Sequence, residues 1–567
     1  MSRQATAVSS AHVHRSMAGA HTVFAVTSGV GLLEEKTPST YREAMSCDDR
    51  AKWQEAMRSE YDGCLAQKTW TLVKRSDLPA GTNVIPVKWV FKIKTDENGV
   101  VTKYKARITP KGFKQKHGVD YFEVFANTGK YKTMRVALSI AARTDMELHQ
   151  LDVPQAFTQA VLEENVYMEM PEGFEVNGMV CHLNKSLYGL KQSPRNWYLL
   201  VSNFITKELG FQATVSDPCL FWKTSRSGQL MLLFLFVDDM QVGFDKTDAV
   251  EYAELLAKLK ARFNISNLGE SKYMLGMRIA RDRKMKTIRL DQELYITKAL
   301  EKFGLHQCTP MPTPAVLSSS SAPPPGEREG ASGHPTNLKL YQEKVGTLLY
   351  AAISTRPDIA FAVNKLTQHM QTPTVADAKA CDRVFRYLAG TKGKGLLFGR
   401  RQSQQEEGAI LTAWSDSDWG TDWTDRKSQT GWVAMLWGDP VSWASKKQKV
   451  VAQSSCEAEL YSEAAAMNEM SWLRGLLIEI GLYAEDDRRY QTPVLYGDNQ
   501  STQKLTETGI KSERTKHIDV KYRFVTDEVL NGRVRLQWVP TAQQVADVLT
   551  KALGAQQHKT LIDRLMI

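Results

Sequence analysis

The stretch LFLFVDDMQVGF, residues 233–244, constrains this chain more than any other. Six apolar residues run from Leu232 to Val237, Asp238 and Asp239 follow, and Met240, Val242 and Phe244 then alternate with other residues. This pattern predicts a strand, a tight turn at the two aspartates and a returning strand. Aspartate suits a turn because its carboxylate accepts bonds from nearby backbone N–H groups. Two adjacent carboxylates repel each other, so placing them at the rim of a buried hairpin costs free energy. A bound cation removes that cost, and hard divalent ions such as Mg2+ are held by one or two carboxylates together with substrate phosphates. An Asp-Asp turn is common by itself; the remaining acids of the chain decide what this one does.

At 567 residues the chain is long enough for about three or four domains. Its formal charge is +10, and residues 88–116 alone carry nine Lys or Arg against two acids. A local excess of that size points to a polyanion, either nucleic acid or an anionic membrane surface. No helix reads as both basic and strongly amphipathic, which disfavours the membrane surface, and no run of 18 apolar residues offers a membrane span. Seven scattered cysteines, odd in number and never in CxxC spacing, argue for a reducing compartment and against a disulfide framework or a zinc knuckle.

Residues 1–45 are mostly small and polar and read as a disordered remnant. From Ser46 a helical pattern begins, with Trp53, Met57, Tyr61 and Leu65 on one face and Asp48 as its cap. Residues 87–113 read as a two-stranded ribbon turning at Asn98-Gly99. Lys88, Lys92 and Lys94 on one strand and Lys103, Lys105 and Arg107 on the other give it a basic face, either merely solvated or in contact with phosphates. Residues 133–145 read as an apolar helix, and HQLDVPQAF ends a short strand at Asp152 with Phe157 five residues on. One carboxylate on one strand and two on a neighbouring hairpin are what a two-metal site needs. VYMEMPEGF, residues 166–174, reads as a strand. SLYGLKQSPRNWY, residues 186–198, is a loop entering a helix: Gly189 permits close backbone approach to a ligand, Pro194 sits at the first helical turn, and Lys191 and Arg195 can reach phosphate.

Helices are expected over 248–263, with Ala253, Leu256, Leu259 and Phe263 on one side, and over 291–303, 340–354 and 374–389. Residues 309–337, rich in Pro, Ser and Gly, read as a flexible linker. A second acid-bearing region starts near Ala409. Its strand 409–419 carries Asp416 and Asp418, and a long helix over 453–482 carries Glu457 and Glu459. Those two glutamates point about 200° apart, so only one faces a shared site. A strand ends at Asp498, and a strand followed by a helix carries Asp547. Four acids at strand ends and on helices suit a second metal site.

Taken in order, KWVFKIK, YKARITPKGF, LDVPQAF, VYMEMPEGF, SLYGLKQSPRNWY, FVDD, LLYAAISTRPDIAFAV, SDSDW, SWASKKQ, SSCEAEL, DNQS, TKHID and ADVLTKAL resemble the reverse transcriptase–ribonuclease H part of the polyprotein of copia-type LTR retrotransposons. The resemblance covers about residues 50–553. It implies a mixed α+β and α/β multidomain fold: a right-hand polymerase with fingers, palm and thumb, a connection region and a ribonuclease H-like domain. The expected boundaries are fingers and palm over 46–245, a thumb-like region over 246–308, the linker over 309–339, connection over 340–408 and ribonuclease H over 409–567.

The resemblance further implies Asp152, Asp238 and Asp239 as the polymerase acids and Asp416, Glu459, Asp498 and Asp547 as the ribonuclease H acids. Each set would hold two Mg2+, with Mn2+ as the substitute. Lys92 and Arg107 fall where the family binds the incoming triphosphate, Phe157 matches its aromatic gate against a ribose 2′-hydroxyl, and Gly189 and Lys191 lie in the loop beside nucleotide and template. The implied partners are RNA template, DNA primer, RNA–DNA hybrid, deoxynucleoside triphosphates and a second copy of the chain. The implied place is intracellular, in a cytoplasmic particle, with the nucleus as the alternative. Asp418 competes with Asp416 for the first ribonuclease H position, and His517 lies in a matching motif without an assigned role. Departures from the family pattern are FVDD for a Tyr-initial motif, TQA after Phe157, FANTGKY over 125–131, and KARITPKGF. With the upstream polyprotein domains absent, the chain is expected to be a fragment or a truncated reading frame. A decayed or host-adopted nucleic-acid-binding protein is the competing expectation.

Overall fold

The computed structural model describes residues 37–95, 101–317, 337–399, 409–422, 424–484, 492–508 and 519–567. His517, the turn at Asn98-Gly99, most of the expected 309–337 linker and the first 36 residues lie outside them. Among the described residues, the central hairpin lies inside a six-stranded sheet. Its order is Ser266–Glu270, Glu147–Asp152, Asp239–Phe244, Leu230–Phe236, Leu220–Thr224 and Gln212–Ala213. Side chains alternate across these strands. Leu233, Leu235, Met240 and Val242 pack with Trp197, Val201 and Leu259 from helices Ser193–Lys207 and Ala249–Arg262. Leu232 and Phe234 face the other way, onto helix Tyr131–Thr144.

Strands Val87–Thr95 and Val101–Pro110 pair antiparallel as the expected ribbon, with Lys92 opposite Lys105 and Val90 opposite Arg107. Trp89, Phe91, Ile93, Ala106 and Ile108 bury the other face beside Trp53 and Met57 of helix Arg50–Ala66. The second half of the chain forms a five-stranded sheet in the order Asp439–Lys447, Gln429–Leu436, Leu411–Asp418, Val494–Gly497 and Arg535–Trp538. Its first three strands are antiparallel and the last two join in parallel, under the long helix Ser455–Glu479. A right-hand polymerase followed by a ribonuclease H-like domain is therefore the architecture, as the resemblance implied.

The two halves share a wall. Helix Tyr131–Thr144 is buried along most of its length because it belongs to the same apolar cluster as the second sheet. Arg135, 4% exposed, donates from Nε to the Val441 carbonyl (2.7 Å) and from Nη1 to the Ile353 (2.9 Å) and Ser354 (2.8 Å) carbonyls. Its guanidinium lies 4.0 Å from the Trp443 ring centroid. Lys132 pairs with Glu469 at 2.8 Å over the Trp472 ring, and Ser139 donates to Asp439.

Several local expectations change. Helix begins at Tyr41, in two pieces, and the residue preceding the second piece is Asp49, not Asp48; Asp49 accepts from the Tyr104 hydroxyl instead of capping. Leu65 is exposed and Cys64 takes the buried position, because a 3.6-residue turn drifts off a strict spacing of four. In helix Ala249–Arg262 the buried face is Tyr252, Leu255 and Leu259, with Ala253 exposed. The 166–174 strand shrinks to Tyr167–Met168, since Pro171 and Gly173 break it. Strand Ser266–Glu270 joins the edge of the six-stranded sheet, and strand Gly395–Phe398 pairs with Thr287–Asp291. Residues Thr309, Met311 and Thr313 of the Pro-rich segment are tied to Arg383 and Arg386 of helix Val375–Thr391.

Two candidate carboxylate centres

The first centre is built by strand register. Asp239 stands opposite Asp152 in the antiparallel ladder, and the Val153 N–H donates to the Asp238 carbonyl (3.0 Å). Phe236 pairs with Asp239, so the two-residue turn is Val237-Asp238 rather than Asp238-Asp239. Asp239 is already the first strand residue because its partner in the ladder, Asp152, holds it there. The turn forces Val237 to a φ of +56°, a left-handed conformation that costs a β-branched residue free energy. The Trp197 indole N–H donates to the Val237 carbonyl (2.6 Å) and pins the turn from beneath. Burial raises the Asp238 carboxyl above its usual range, with Asp152 adding to it. Burial, then the neighbouring Asp238 charge, pushes Asp239 up to about 6, against a Gln150 amide bond at 3.3 Å. These are anions gathered against their own repulsion, a condition that an all-oxygen, hard-cation donor set relieves.

Beside them lies the ribbon's basic face. Lys105 is pushed down to about 8, by burial first and then by Arg107 and Lys94. The Arg107 guanidinium sits 4.4 Å from the Tyr188 ring centroid, and the Phe157 ring lies 4.5 Å from the same ring. Arg107 and Phe157 thus meet through one aromatic, at the mouth of the carboxylate centre; burial and the Asp238 charge raise the Tyr188 phenol. Phe157 follows Gln155, itself left-handed at φ +54°, whose amide donates to Glu60 (3.0 Å). The altered Thr158 is held by Gln67 and the Gln155 carbonyl, so the departure from the family pattern is absorbed by a local polar network.

Lys92 is half-buried on the same face. Lys191 donates to the Tyr121 hydroxyl (3.0 Å) and, through its backbone N–H, to Gln115 (2.8 Å). Gly189 serves the chain's own packing. At φ +108° a Cβ there would come 2.4 Å from the Pro110 carbonyl oxygen, so glycine lets the loop lie directly on the ribbon's end, where close approach to a ligand was expected.

The second centre is tighter. Asp416 on strand Leu411–Asp418, Asp498 just beyond Val494–Gly497 and Asp547 on a 3-10 turn, Val545–Leu549, place ligand oxygens within 4.8 Å of one another. Among the described residues no other trio of His, Cys, Asp or Glu is so gathered; Asp152, Asp238 and Asp239 are neighbours without reaching that spacing. Glu459 joins Asp416 and Asp498 in lining a cleft of about 460 Å³, with Ser417, Trp538 and Lys551. Its carboxyl is raised well above the usual range by burial and by Asp416 and Asp498. Asp547 is pushed up to about 7, by burial and then by Asp416.

The sequence alternatives separate here. Glu457 caps its own helix, accepting from the Gln453 N–H (2.7 Å). Asp418 accepts from the Gln429 N–H (2.6 Å) and the Thr421 hydroxyl, so it anchors a loop while Asp416 faces the cleft. Asp547 sits on a 3-10 turn where an α-helix was expected, since its turn is pressed against strand Gln429–Leu436 at Gly431. Two residues of the site escaped the sequence reading. Thr550 donates to Asp416, and the Lys551 ammonium lies 2.8 Å from Asp547 and 3.8 Å from Asp416. The four-residue step from Asp547 to Lys551 was the available signal.

Residues 67–317 match the family described as reverse transcriptase (RNA-dependent DNA polymerase). The chain is 38% identical over 539 residues to the retrovirus-related Pol polyprotein from transposon TNT 1-94 of Nicotiana tabacum, covering 93% of this chain and 39% of that protein. It is 36% identical over 528 residues to the Pol polyprotein from transposon RE1 of Arabidopsis thaliana, covering 93% and 34%. To the Ty1-OR Gag-Pol polyprotein of Saccharomyces cerevisiae it is 26% identical over 581 residues, covering 97% and 31%. The chain therefore spans between 31% and 39% of the length of these relatives. Among solved structures it is similar to the foamy viral protease–reverse transcriptase in complex with double-stranded DNA, at 12% identity and TM-score 0.48 over 86% of this chain and 70% of that one. No helix of the described residues is long and apolar enough to cross a membrane. With residues 67–317 matching the reverse transcriptase family and retrotransposon Pol relatives running along more than nine-tenths of its length, the chain belongs to the copia-type retrotransposon Pol polyproteins, in their reverse transcriptase region.

Proposed function

We propose that this chain is an RNA-directed DNA polymerase that also cleaves the RNA strand of RNA–DNA hybrids. The observation that carries this reading is the pair of separate carboxylate centres: Asp152 in register with Asp239 beside Asp238, and Asp416, Asp498 and Asp547 within 4.8 Å with Glu459 on the same cleft. Both centres offer oxygen donors alone, a set that fits Mg2+ or Mn2+. Bound there, the ions supply charge neutralisation and an activated oxygen nucleophile, a primer 3′-hydroxyl at the first centre and water at the second.

The chain's own residues do the positioning. Lys92, Lys105 and Arg107 present cations to the triphosphate of a deoxynucleotide, and the planar Arg107 fork matches phosphate oxygens. Lys105, its charge destabilised by burial and by Arg107, regains a counter-charge when phosphate arrives. Phe157, wedged against Tyr188, closes the space a ribose 2′-hydroxyl needs, and Lys191 and the Gly189 loop back the template side. Little covalent chemistry is required of the protein, because phosphoryl transfer depends on alignment and charge stabilisation.

On this reading residues 46–245 form fingers and palm, 246–308 the thumb-like region, 309–339 the linker, 340–408 the connection and 409–567 the ribonuclease H domain. The partners are RNA template, DNA primer and hybrid, in an intracellular particle, with self-association as a further property. Primer extension on an RNA template, with and without Mg2+, tests the proposal. Asp238→Asn is expected to abolish extension and leave hybrid cleavage, and Asp498→Asn to do the reverse. A chain that binds hybrid but neither extends nor cleaves it is a binding protein and not an enzyme.

A further inference from the structure

The second centre contains a cation of its own. The Lys551 ammonium lies 2.8 Å from the Asp547 carboxylate and 3.8 Å from that of Asp416. Those two carboxylates, with Asp498, converge within 4.8 Å. Asp416 and Asp547 are 2% and 0% exposed, whereas the Lys551 side chain is 37% exposed and lines the cleft. The two anions are thus enclosed, and the ammonium stands at the open side, facing the cleft. Asp416 is held independently, by the buried Thr550 hydroxyl, so it keeps its place when Lys551 leaves. Asp547 sits on a short turn whose position is set by the buried Val545, Ala546, Val548 and Leu549 around it, so it too does not need the ammonium for support.

We propose that Lys551 is a resident counter-ion of this centre: it neutralises Asp416 and Asp547 in the metal-free protein and is displaced into the cleft by the divalent cation. This rests on the reading of the four acids as a metal centre. Metal affinity there is then set by a competition, because each arriving ion must first separate the ammonium from two buried carboxylates. A plain surface ion pair across one helical turn would contribute little and would not oppose metal binding. Lys551 is in this sense a positioning residue, acting on the acids and not on the reacting atoms.

The test uses the full chain carrying Asp238→Asn and Asp239→Asn, so that the polymerase acids add little to the signal. Mn2+ is titrated calorimetrically and by electron paramagnetic resonance into this parent, into Lys551→Met, which keeps length and removes charge, and into Lys551→Arg. Lys551→Met is expected to bind Mn2+ on the order of tenfold tighter, the size typical of outer partners of metal ligands. Lys551→Arg is expected to stay near the parent. Without metal, Lys551→Met should melt lower than the parent, and saturating Mn2+ should close the gap. Equal or weaker Mn2+ binding by Lys551→Met would overturn the proposal, as would a melting deficit that persists at saturation. A parent whose Mn2+ binding is untouched by Asp498→Asn would instead refute the metal-centre reading, and the counter-ion with it.

Discussion

Asp239 stands directly across from Asp152 on adjacent antiparallel strands, so backbone pairing alone brings these carboxylates together. The ladder supplies the alignment before any cation arrives, and burial, then the neighbouring Asp238 charge, pushes the Asp239 carboxyl up to about 6. The strain at Val237 belongs to the same device, since the turn must tighten to deliver Asp239 into the ladder one residue after Asp238.

Val237→Gly separates strain from function. Relief of the left-handed valine, about 1 kcal/mol, is offset by the extra freedom glycine gains when unfolded. The melting temperature should stay within a few degrees, while a looser Asp238 lowers the extension rate on the order of tenfold or more, since misplacement near the chemistry is costly. Stopped-flow incorporation and thermal melting measure the two effects.

Phe157→Val shortens the ring that packs at 4.5 Å on Tyr188. Selection against ribonucleoside triphosphates should weaken by roughly two orders of magnitude, a few kcal/mol of lost exclusion. Single-nucleotide incorporation of paired deoxy and ribo substrates gives the ratio. Unchanged selection would remove Phe157 from the gate.

Glu463, 3% exposed and one turn beyond Glu459, has its carboxyl pushed up to about 8 by burial. Its folded pKa exceeds the unfolded value of 4.5, so its contribution is fully present below pH 4.5 and is lost as pH rises toward 8. Glu463→Gln keeps the shape and cannot ionise. The variant should match the parent near pH 4.5 and be more stable by a few kcal/mol near pH 8, where denaturant unfolding reads the difference.

Arg135→Met removes the guanidinium by which helix Tyr131–Thr144 holds three carbonyls, Val441 on the second sheet and Ile353 and Ser354 at the end of helix Leu338–Ser354. Burial pushes this arginine down to about 9, so its charge is held there at a cost and its hydrogen bonds compensate. Three unsatisfied carbonyls should destabilise the interface by about 3–5 kcal/mol. Melting should then split into two transitions, with proteolysis between the halves; one sharp transition would mean the apolar contacts alone suffice.

Asp152, Asp238, Asp239, Asp416 and Asp498 were legible because each stands at or near the end of an apolar run, where a strand stops and a side chain reaches the sheet's rim; Glu459 and Asp547, on a helix and a 3-10 turn, were legible only through the family resemblance. Helical geometry showed that only one of Glu457 and Glu459 could face a shared site, the family resemblance pointed to Glu459, and Glu457 caps its own helix. The ribbon's basic face was legible from alternation, and Lys92 does stand opposite Lys105. What sequence could not carry was tertiary. The turn shifted by one residue because Asp239 pairs with a strand some 90 positions away. The need for glycine at position 189 comes from Pro110, far off in the chain, whose carbonyl a Cβ would meet. The helix expected over 133–145 looked like an ordinary apolar helix; its place in one apolar cluster that runs on into the second sheet leaves no mark in its periodicity.

That shared helix has a consequence for how such a chain would leave its trace on a template. Arg135, Lys132 and Ser139 tie the helix behind the first centre to the sheet and helix that carry the second, so on the proposed reading the two centres keep one separation while a template passes. Scission of the RNA would then trail the growing DNA terminus at one constant spacing, whatever bases pass between, like the gap between two wheels on one axle.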